Sequence, residues 1–202
     1  MLEICEIFSS IQGEGWRQGI ASVFIRFFGC NLKCKFCDTP QAFERKILMD
    51  EKEIINQVRI LAKKRARISN VVITGGEPYI QDFSMLVNLL KKDGYFVAVE
   101  TNGTIWREID VDWICVSPKR QAMKFLKNCY DPRFKKIAGE FKYVIEKKAD
   151  LDLIDRTITQ PLILQPVDSN MKVAKMLCNE IKKAGIPNCF LRPQLHKIMG
   201  IK

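Results

Sequence analysis

Histidine is almost missing from this chain: a single His, His196, stands among 202 residues that include 33 Lys and Arg, 23 Asp and Glu and eight Cys. Long apolar stretches are missing too, since no run reaches the roughly 18 uncharged residues that a membrane helix requires. The opening MLEICEIFSS lacks the basic-then-apolar layout of a signal peptide. These absences predict a soluble, cytoplasmic protein with no membrane partner. No linker, internal repeat or low-complexity segment interrupts the sequence, which reads as one domain over residues 1–202. A second cysteine pair is also lacking. A structural zinc site takes four closed ligands from paired Cys-x-x-Cys units or added histidines, and here would have to recruit isolated residues. A disulfide framework fits poorly with a chain this large, 47% apolar and unsignalled.

Basic residues exceed acidic ones by 10, which favours anionic partners such as phosphates, carboxylates or nucleic acid without choosing among them. The densest basic run, KKRAR at 63–67, follows an amphipathic pattern and reads as a solvated helix end rather than an RNA-binding patch. Five cysteines read as ordinary structural thiols: Cys5, Cys115 and Cys189 in strand-like runs, Cys178 on a helix pattern and Cys129 in an irregular stretch.

Six apolar runs predict core strands at 22–28, 70–74, 95–100, 112–117, 141–145 and 162–165, and two lesser runs at 3–8 and 189–192 extend the edges. The runs are mostly continuous rather than alternating, as strands buried on both faces are. Helical periodicity is clear at 50–66, where Ile54, Ile55, Val58, Leu61 and Ala62 share a face behind an Asp50/Glu53 cap. It recurs at 82–94, with Met85, Leu86, Leu89 and Leu90, and at 170–185; both windows end in Gly. Strands alternating with helices imply a largely parallel α/β sheet with its site at the strand C-terminal ends. Six strands with three main helices fall short of a closed eight-fold barrel, for which about 250 residues are typical. A partial, open β/α barrel fits.

The chemistry concentrates in GCNLKCKFCDTP (29–40), directly after the first core strand, where Cys30, Cys34 and Cys37 stand together. A 4Fe-4S cluster normally takes four thiolates, so three leave one iron able to bind a small molecule. ITGGEP (73–78), ETNG (100–103), SPK (117–119) and QPVD (165–168) each end a later strand; singly they read as turns, and only their shared placement carries weight.

The Cys-x-x-x-Cys-x-x-Cys spacing resembles the cluster motif of radical S-adenosylmethionine (SAM) enzymes, whose core is a full or partial β/α barrel, and ITGGEP resembles their Gly-Gly-Glu-Pro segment, which approaches the methionyl amine. Within that superfamily, FSSIQGEG (8–15), FIRFFGCNLKCKFCDT (24–39), TGGEP (74–78) and LHKIMGIK (195–202) resemble the 7-carboxy-7-deazaguanine synthase family from end to end. That family's shortened core of six strands and about three helices agrees with the count above.

The resemblance implies that Cys30, Cys34 and Cys37 hold the cluster, while Phe36, Cys37, Asp38, Gly76, Ser117, Pro118, Lys119, Gln165, Pro166, Val167 and Asp168 form the SAM pocket. Glu100 and Asn102 are assigned towards the adenosyl portion. Without the resemblance, Lys119 and Asp168 read equally as solvated loop charges. For the substrate, 6-carboxy-5,6,7,8-tetrahydropterin, it implies Ile11, Gln12, Gly13 and Glu14 in an N-terminal recognition segment, Arg26 as a forked partner of the carboxylate, and Thr74. His196 and Lys202 belong to a substrate-closing tail, and Thr39 to a Mg²⁺ ligand; a lone Thr before Pro is otherwise an ordinary loop dipeptide. The implied reaction is reductive cleavage of SAM to a 5′-deoxyadenosyl radical that removes hydrogen from substrate C6. Ring contraction and loss of ammonia come next, yielding 7-carboxy-7-deazaguanine on the route to queuosine and other 7-deazapurines, and SAM is regenerated. An electron donor such as flavodoxin or ferredoxin and a homodimeric state come with the family; nucleic acid is not an expected partner. The competing readings are a glycyl-radical-enzyme activase, against which SSIQGEG, Arg26 and Thr74 speak, and a zinc or RNA-binding module, which leaves the glycine motif unexplained.

Overall fold

The computed structural model describes residues 1–35, 37–64, 68–185 and 188–201. Nine strands form one sheet: β1 (Leu2–Ile11), β2 (Ala21–Phe27), β3 (Ile47–Met49), β4 (Asn70–Gly75), β5 (Phe96–Thr101), β6 (Trp113–Val116), β7 (Glu140–Ile145), β8 (Leu162–Pro166) and β9 (Cys189–Leu191). Their spatial order is β3-β1-β2-β4-β5-β6-β7-β8-β9. From β2 to β9 every neighbour is parallel, whereas β1 runs antiparallel to both β2 and β3. The six central strands coincide with the six apolar runs, and the sheet stays open because β3 and β9 do not pair. The helices are α1 (Glu51–Lys64), α2 (Ser84–Lys92), α3 (Phe134–Ile137), α4 (Met171–Ala184) and α5 (Leu195–Met199). Of these, α3 and α5 are shorter than periodicity can reveal.

Alternate residues of the strands meet different surroundings, as the two-residue strand period demands. Val23, Ile25, Phe27, Val71, Ile73, Val97 and Val99 join one large core with residues of α1, α2 and α4. The residues between them, Phe24, Val72 and Ala98, form a smaller inner cluster with Phe8, Phe96 and Trp113. Two positions further along the same inner face stand Arg26, Thr74 and Glu100. Each of these strands is thus apolar on both faces in its middle and polar inside near its C-terminal end.

The helices follow their caps. Asp50 and Glu53 exchange backbone-to-carboxylate hydrogen bonds at 2.8 Å each, the reciprocal box that starts α1. Ile54, Ile55, Val58 and Ala62 are buried as the periodicity requires, and full burial of each larger one contributes about 1.5–3 kcal/mol. Asn170 caps α4 by accepting from the amides of Lys172 and Val173, and Gly185 ends it in the left-handed region. On α2 the expected face is rotated: Met85 is exposed and Val87 takes its place in the core. Cys178 is likewise exposed on α4 rather than buried, while Cys5, Cys115 and Cys129 are buried and Cys189 half-buried. Of the basic run at 63–67, Lys63 and Lys64 close α1, and 65–67 lie outside the described residues.

The loop between β1 and β2 ties the sheet together from below. It crosses the N-terminal ends of the parallel strands: Arg17 bonds Asn70 at the start of β4 and stacks on Phe96 at the start of β5. The Trp16 amide bonds Glu140 at the start of β7, and the Trp16 ring meets Phe190 of β9. Among the described residues, no helix is long and apolar enough to cross a membrane.

Candidate functional site

Where β2 ends, the backbone turns through Gly29 (φ +86) into the three-cysteine loop, and β4 ends beside it at Gly75 and Gly76. A Cβ on Gly76 would lie 2.0 Å from the Gly29 carbonyl oxygen and 2.9 Å from Cys30 Cβ; one on Gly75 would lie 2.3 Å from the Phe27 oxygen. Two glycines at a strand end let another group approach the backbone closely, and here the group they admit is the cysteine loop itself. Hydrogen bonds from the Gly76 amide to Phe27 (3.2 Å) and from the Glu77 amide to Gly29 (2.8 Å) seal the contact. The Glu77 side chain is fully buried, accepting from Thr101 Oγ1 and the Asn102 amide at 2.7 Å each and from the Tyr79 amide at 3.1 Å. Burial pushes its carboxyl up to about 7 against these donors. Glu77 therefore fastens β4 to β5 behind the cavity and does not line it.

That cavity, of about 400 Å³, opens over the inner polar ends of the strands. Cys30, Cys34 and Cys37 line its wall, and no other cysteine does. Burial raises the Cys30 thiol to about 11 and also raises Cys34, and the charges of the neighbouring thiols add to both. Three thiolates drawn together in this way need cations among them. Among the described residues no three His, Cys, Asp or Glu side chains already converge as a metal cage. As a donor set, however, three cavity-lining thiols without a fourth suit a 4Fe-4S cluster with one iron free of thiolate.

Around the thiols stand the other expected cofactor residues. Asp38, Gly76, Ser117, Lys119, Gln165, Val167, Asp168, Glu100 and Asn102 all line the cavity; Pro118 and Pro166 do not, and Phe36 lies outside the described residues. Lys119 is lowered by burial and by the nearby Lys142 cation, and its Nζ donates to Ser117 Oγ at 2.6 Å. Gln165 is 2% exposed, and its Oε1 finds no donor among the described residues. An orphaned buried acceptor costs about 1–3 kcal/mol. A ligand amine or hydroxyl entering this cavity would relieve it, and SAM carries both. Asp168 and Ser169 both hold left-handed φ, 50° and 55°. Ser169 is kept there by exchanging hydrogen bonds with Gln194, at 3.0 and 3.1 Å, and Asp168 is ion-paired with Lys197.

The expected substrate residues meet on the same wall: Ile11, Gln12, Gly13, Glu14, Arg26, Thr74 and His196 line the cavity, and Lys202 lies outside the described residues. Gln12 and Glu14 arrive from below, through the loop that crosses the strand N-terminal ends, so the site is not built at the C-terminal ends alone. Arg26 is oriented by its own neighbours, its Nε donating to Glu6 at 2.9 Å and its Nη1 to Thr39 Oγ1 at 3.1 Å. Thr39 Oγ1 in turn donates to Asp38 at 3.1 Å. Gly13 lies flat against the His196 ring, where a Cβ would stand 2.2 Å from Nδ1, and the Leu195 amide donates to the Gly13 oxygen at 2.8 Å.

Two functional candidates escape the sequence. Lys142, on the inner face of β7, is buried and paired with Glu14 and Glu100. Gln194, 3% exposed, donates from Nε2 to Glu14 at 2.7 Å and to Asp38 at 3.0 Å, tying the recognition segment to the cysteine loop. The only signal for Lys142 is a charge inside the apolar run 141–145.

Comparison with known proteins places this geometry. Residues 24–134 match the radical SAM superfamily model. The 7-carboxy-7-deazaguanine synthase of Aquifex aeolicus is 33% identical over all of this chain and 95% of its own length. That of Bacteroides thetaiotaomicron is 36% identical over the full length of both, and that of Haemophilus influenzae 36% over 98% of this chain and 93% of its own. The crystal structure of QueE from Escherichia coli superposes with a TM-score of 0.80 at 24% identity, covering 96% of this chain and 94% of that one, and shares the fold.

Proposed function

The chain belongs to the 7-carboxy-7-deazaguanine synthase family of the radical SAM superfamily, and from that premise we propose how its cavity is divided. The activity is ring contraction of 6-carboxy-5,6,7,8-tetrahydropterin to 7-carboxy-7-deazaguanine with release of ammonia, in 7-deazapurine biosynthesis, and it uses a 4Fe-4S cluster and SAM. No finding favours a glycyl-radical-enzyme activase or a zinc or RNA-binding module. When bound, the cluster and SAM supply the radical that takes hydrogen from the substrate, and the protein's work is placement.

Cys30, Cys34 and Cys37 are the cluster ligands in this reading. Phe36, Asp38, Gly76, Asn102, the segment from Ser117 to Lys119 and that from Gln165 to Asp168 receive SAM, with Gln165 Oε1 accepting from it. Ile11, Gln12, Gly13, Glu14, Arg26 and Thr74 receive the pterin, and the tail with His196 and Lys202 closes over it. The observation that carries this division is a single cavity lined by the three thiols together with Arg26, Gln12 and Glu14. Anaerobic turnover of the carboxypterin by reconstituted protein, with mass analysis of the product, tests it; conversion of SAM without a deazaguanine product overturns it. The whole chain acts as one cytoplasmic domain in a homodimer, reduced by a flavodoxin or ferredoxin, a reading supported by family membership.

Arg26 provides the first residue-level test. Its guanidinium edge faces the cavity while Glu6 and Thr39 hold the rest, a geometry that an ammonium cannot copy. Arg26→Lys is expected to weaken carboxypterin binding by about 1.5–3 kcal/mol, roughly tenfold to over a hundredfold. Titration of the pterin against SAM-loaded protein measures it; wild-type affinity removes Arg26 from carboxylate recognition.

Mg²⁺ completes the proposal. Thr39 Oγ1 already accepts from Arg26 and donates to Asp38, which leaves one lone pair for a cation. Such sparse protein ligation suits Mg²⁺, which keeps several waters and can also take substrate oxygens. Activity should rise with added Mg²⁺, and Thr39→Ala should blunt that response with iron content unchanged. Equal turnover with and without a chelator that spares the iron removes the ion from the mechanism.

A further inference from the structure

Lys142 lies deep in the cavity wall with its side chain 6% exposed, and its Nζ donates to Glu14 Oε2 at 2.5 Å and to Glu100 Oε2 at 2.7 Å. The remaining oxygens are also engaged. Glu100 Oε1 accepts from Gln12 Nε2 at 3.0 Å, and Glu14 Oε1 from Gln194 Nε2 at 2.7 Å. Two carboxylates from separate parts of the chain, one on β5 and one in the β1–β2 loop, are thereby held in place by one cation on β7. Further charged and titratable groups approach from every side: Cys115 from β6, Lys119 from the segment after β6, Glu140 from β7, Asp38 from the cysteine loop and His196 from α5. Burial alone would raise the Glu14 carboxyl, yet Lys142, with the Gln194 amide, brings it down to about 2. Lys142, which burial alone would lower, is raised well above its ordinary value by Cys115, Glu100 and Glu14.

As a stabilising device this array is a poor one, because three buried charges incur a desolvation penalty that an apolar trio of equal volume avoids. Its place explains it better. Glu14, Glu100, Lys142, Gln12 and Gln194 all line the cavity; each Glu14 oxygen has a second lone pair beyond its protein partner, and Glu100, which also accepts from the Cys115 thiol, keeps one. A 2-amino-4-oxopyrimidine ring presents adjacent N–H donors along one edge, which is what a fixed carboxylate accepts best.

We infer that Lys142 is a positioning residue that holds Glu14 and Glu100 as paired acceptors for the N–H edge of the bicyclic substrate. Glu100 then serves the pterin rather than the adenosyl portion of SAM. The inference rests on the function proposed above and deepens it.

The test uses anaerobically reconstituted, SAM-loaded protein with fluorescent 6-carboxypterin as the binding probe and the tetrahydropterin as substrate. Lys142→Met is expected to raise the probe's Kd by about ten- to a hundredfold. The KM of the substrate should rise in parallel, with kcat within about threefold and with iron content and SAM affinity unchanged. In a Glu14→Gln/Glu100→Gln background the same change should cost under about threefold, because both groups it positions are gone. Equal losses in both backgrounds, or a loss of SAM affinity that matches the loss of pterin affinity, overturn the inference. Should Lys142→Met not fold, Glu14→Gln gives the same reading, expected to weaken the probe at least about tenfold; wild-type affinity there overturns it too. Wild-type protein that cleaves SAM but neither binds the pterin nor converts it rejects the proposed function itself, a result distinct from any of these.

Discussion

Cys30→Ala, Cys34→Ala and Cys37→Ala are each expected to reduce SAM cleavage to the level of iron-free protein, whereas Cys178→Ala should leave it unchanged. The three thiols are the only cysteines lining the cavity, so no neighbour can substitute for a lost ligand. Cys178 lies exposed on α4 and lines no part of that wall. A cluster already one thiolate short of its usual four does not survive the loss of another. Iron and sulfide content after anaerobic reconstitution, together with 5′-deoxyadenosine formation, measure the effect. Stoichiometric tetrahedral zinc in anaerobically purified protein, with no iron-dependent activity, would sink the cluster assignment.

A methyl group at Gly76 should do comparable damage without replacing a ligand. The Cβ would stand 2.0 Å from the Gly29 carbonyl, a backbone atom with no room to retreat, and 2.9 Å from Cys30. Either the cysteine loop moves away from β4 or the strand end does, and the thiols lose their common wall. Overpacking of this kind costs about 1–3 kcal/mol, sometimes more. In a chain of this length that is roughly 2–12 °C in Tm. The larger effect is expected in the iron, with Gly76→Ala retaining little cluster. Gly94→Ala is the control: its φ of +83 strains any side chain, but nothing lies within 4 Å of the added carbon. It should lower Tm modestly and keep full iron. A Gly76→Ala protein with wild-type iron and SAM cleavage would show that the close approach does not govern the cluster loop.

The six central strands are legible because Val, Ile, Leu and Phe dominate them, and in the first three Arg26, Thr74 and Glu100 near the strand end announce an inner polar face. The cysteine loop, the glycine pair and the Gln12–Glu14 segment are legible because each is a local string. What stays hidden is what depends on convergence. Lys142 comes after Phe141 in a β-rich run, and a strand lysine ordinarily points to water; only the curl of the sheet turns it inward beside Glu14 and Glu100. Gln194 has no pattern at all until α5 brings it under the recognition segment. Glu77 reads with its motif as part of the ligand wall, but its carboxylate points back to Thr101 and Asn102. Met85 and Leu89 fit a helical stripe equally well, and only packing against β5 decides that Val87 is inside and Met85 out.

The bond between Gln194 and Glu14 joins groups 180 positions apart, and that separation sets a timetable for assembly. Synthesis delivers the N-terminal half first. The β1–β2 hairpin, the cysteine loop and the β4 glycines can therefore come together while most of the barrel is still unmade. At that stage the thiols face open solvent and a carrier of iron and sulfide meets no wall. The recognition segment, by contrast, has neither Lys142 nor Gln194 to hold it and cannot select a pterin. Only once the segment that carries Gln194 has left the ribosome can it clasp Glu14. The metal centre has an early opportunity to be built, and the substrate chamber is completed only after it.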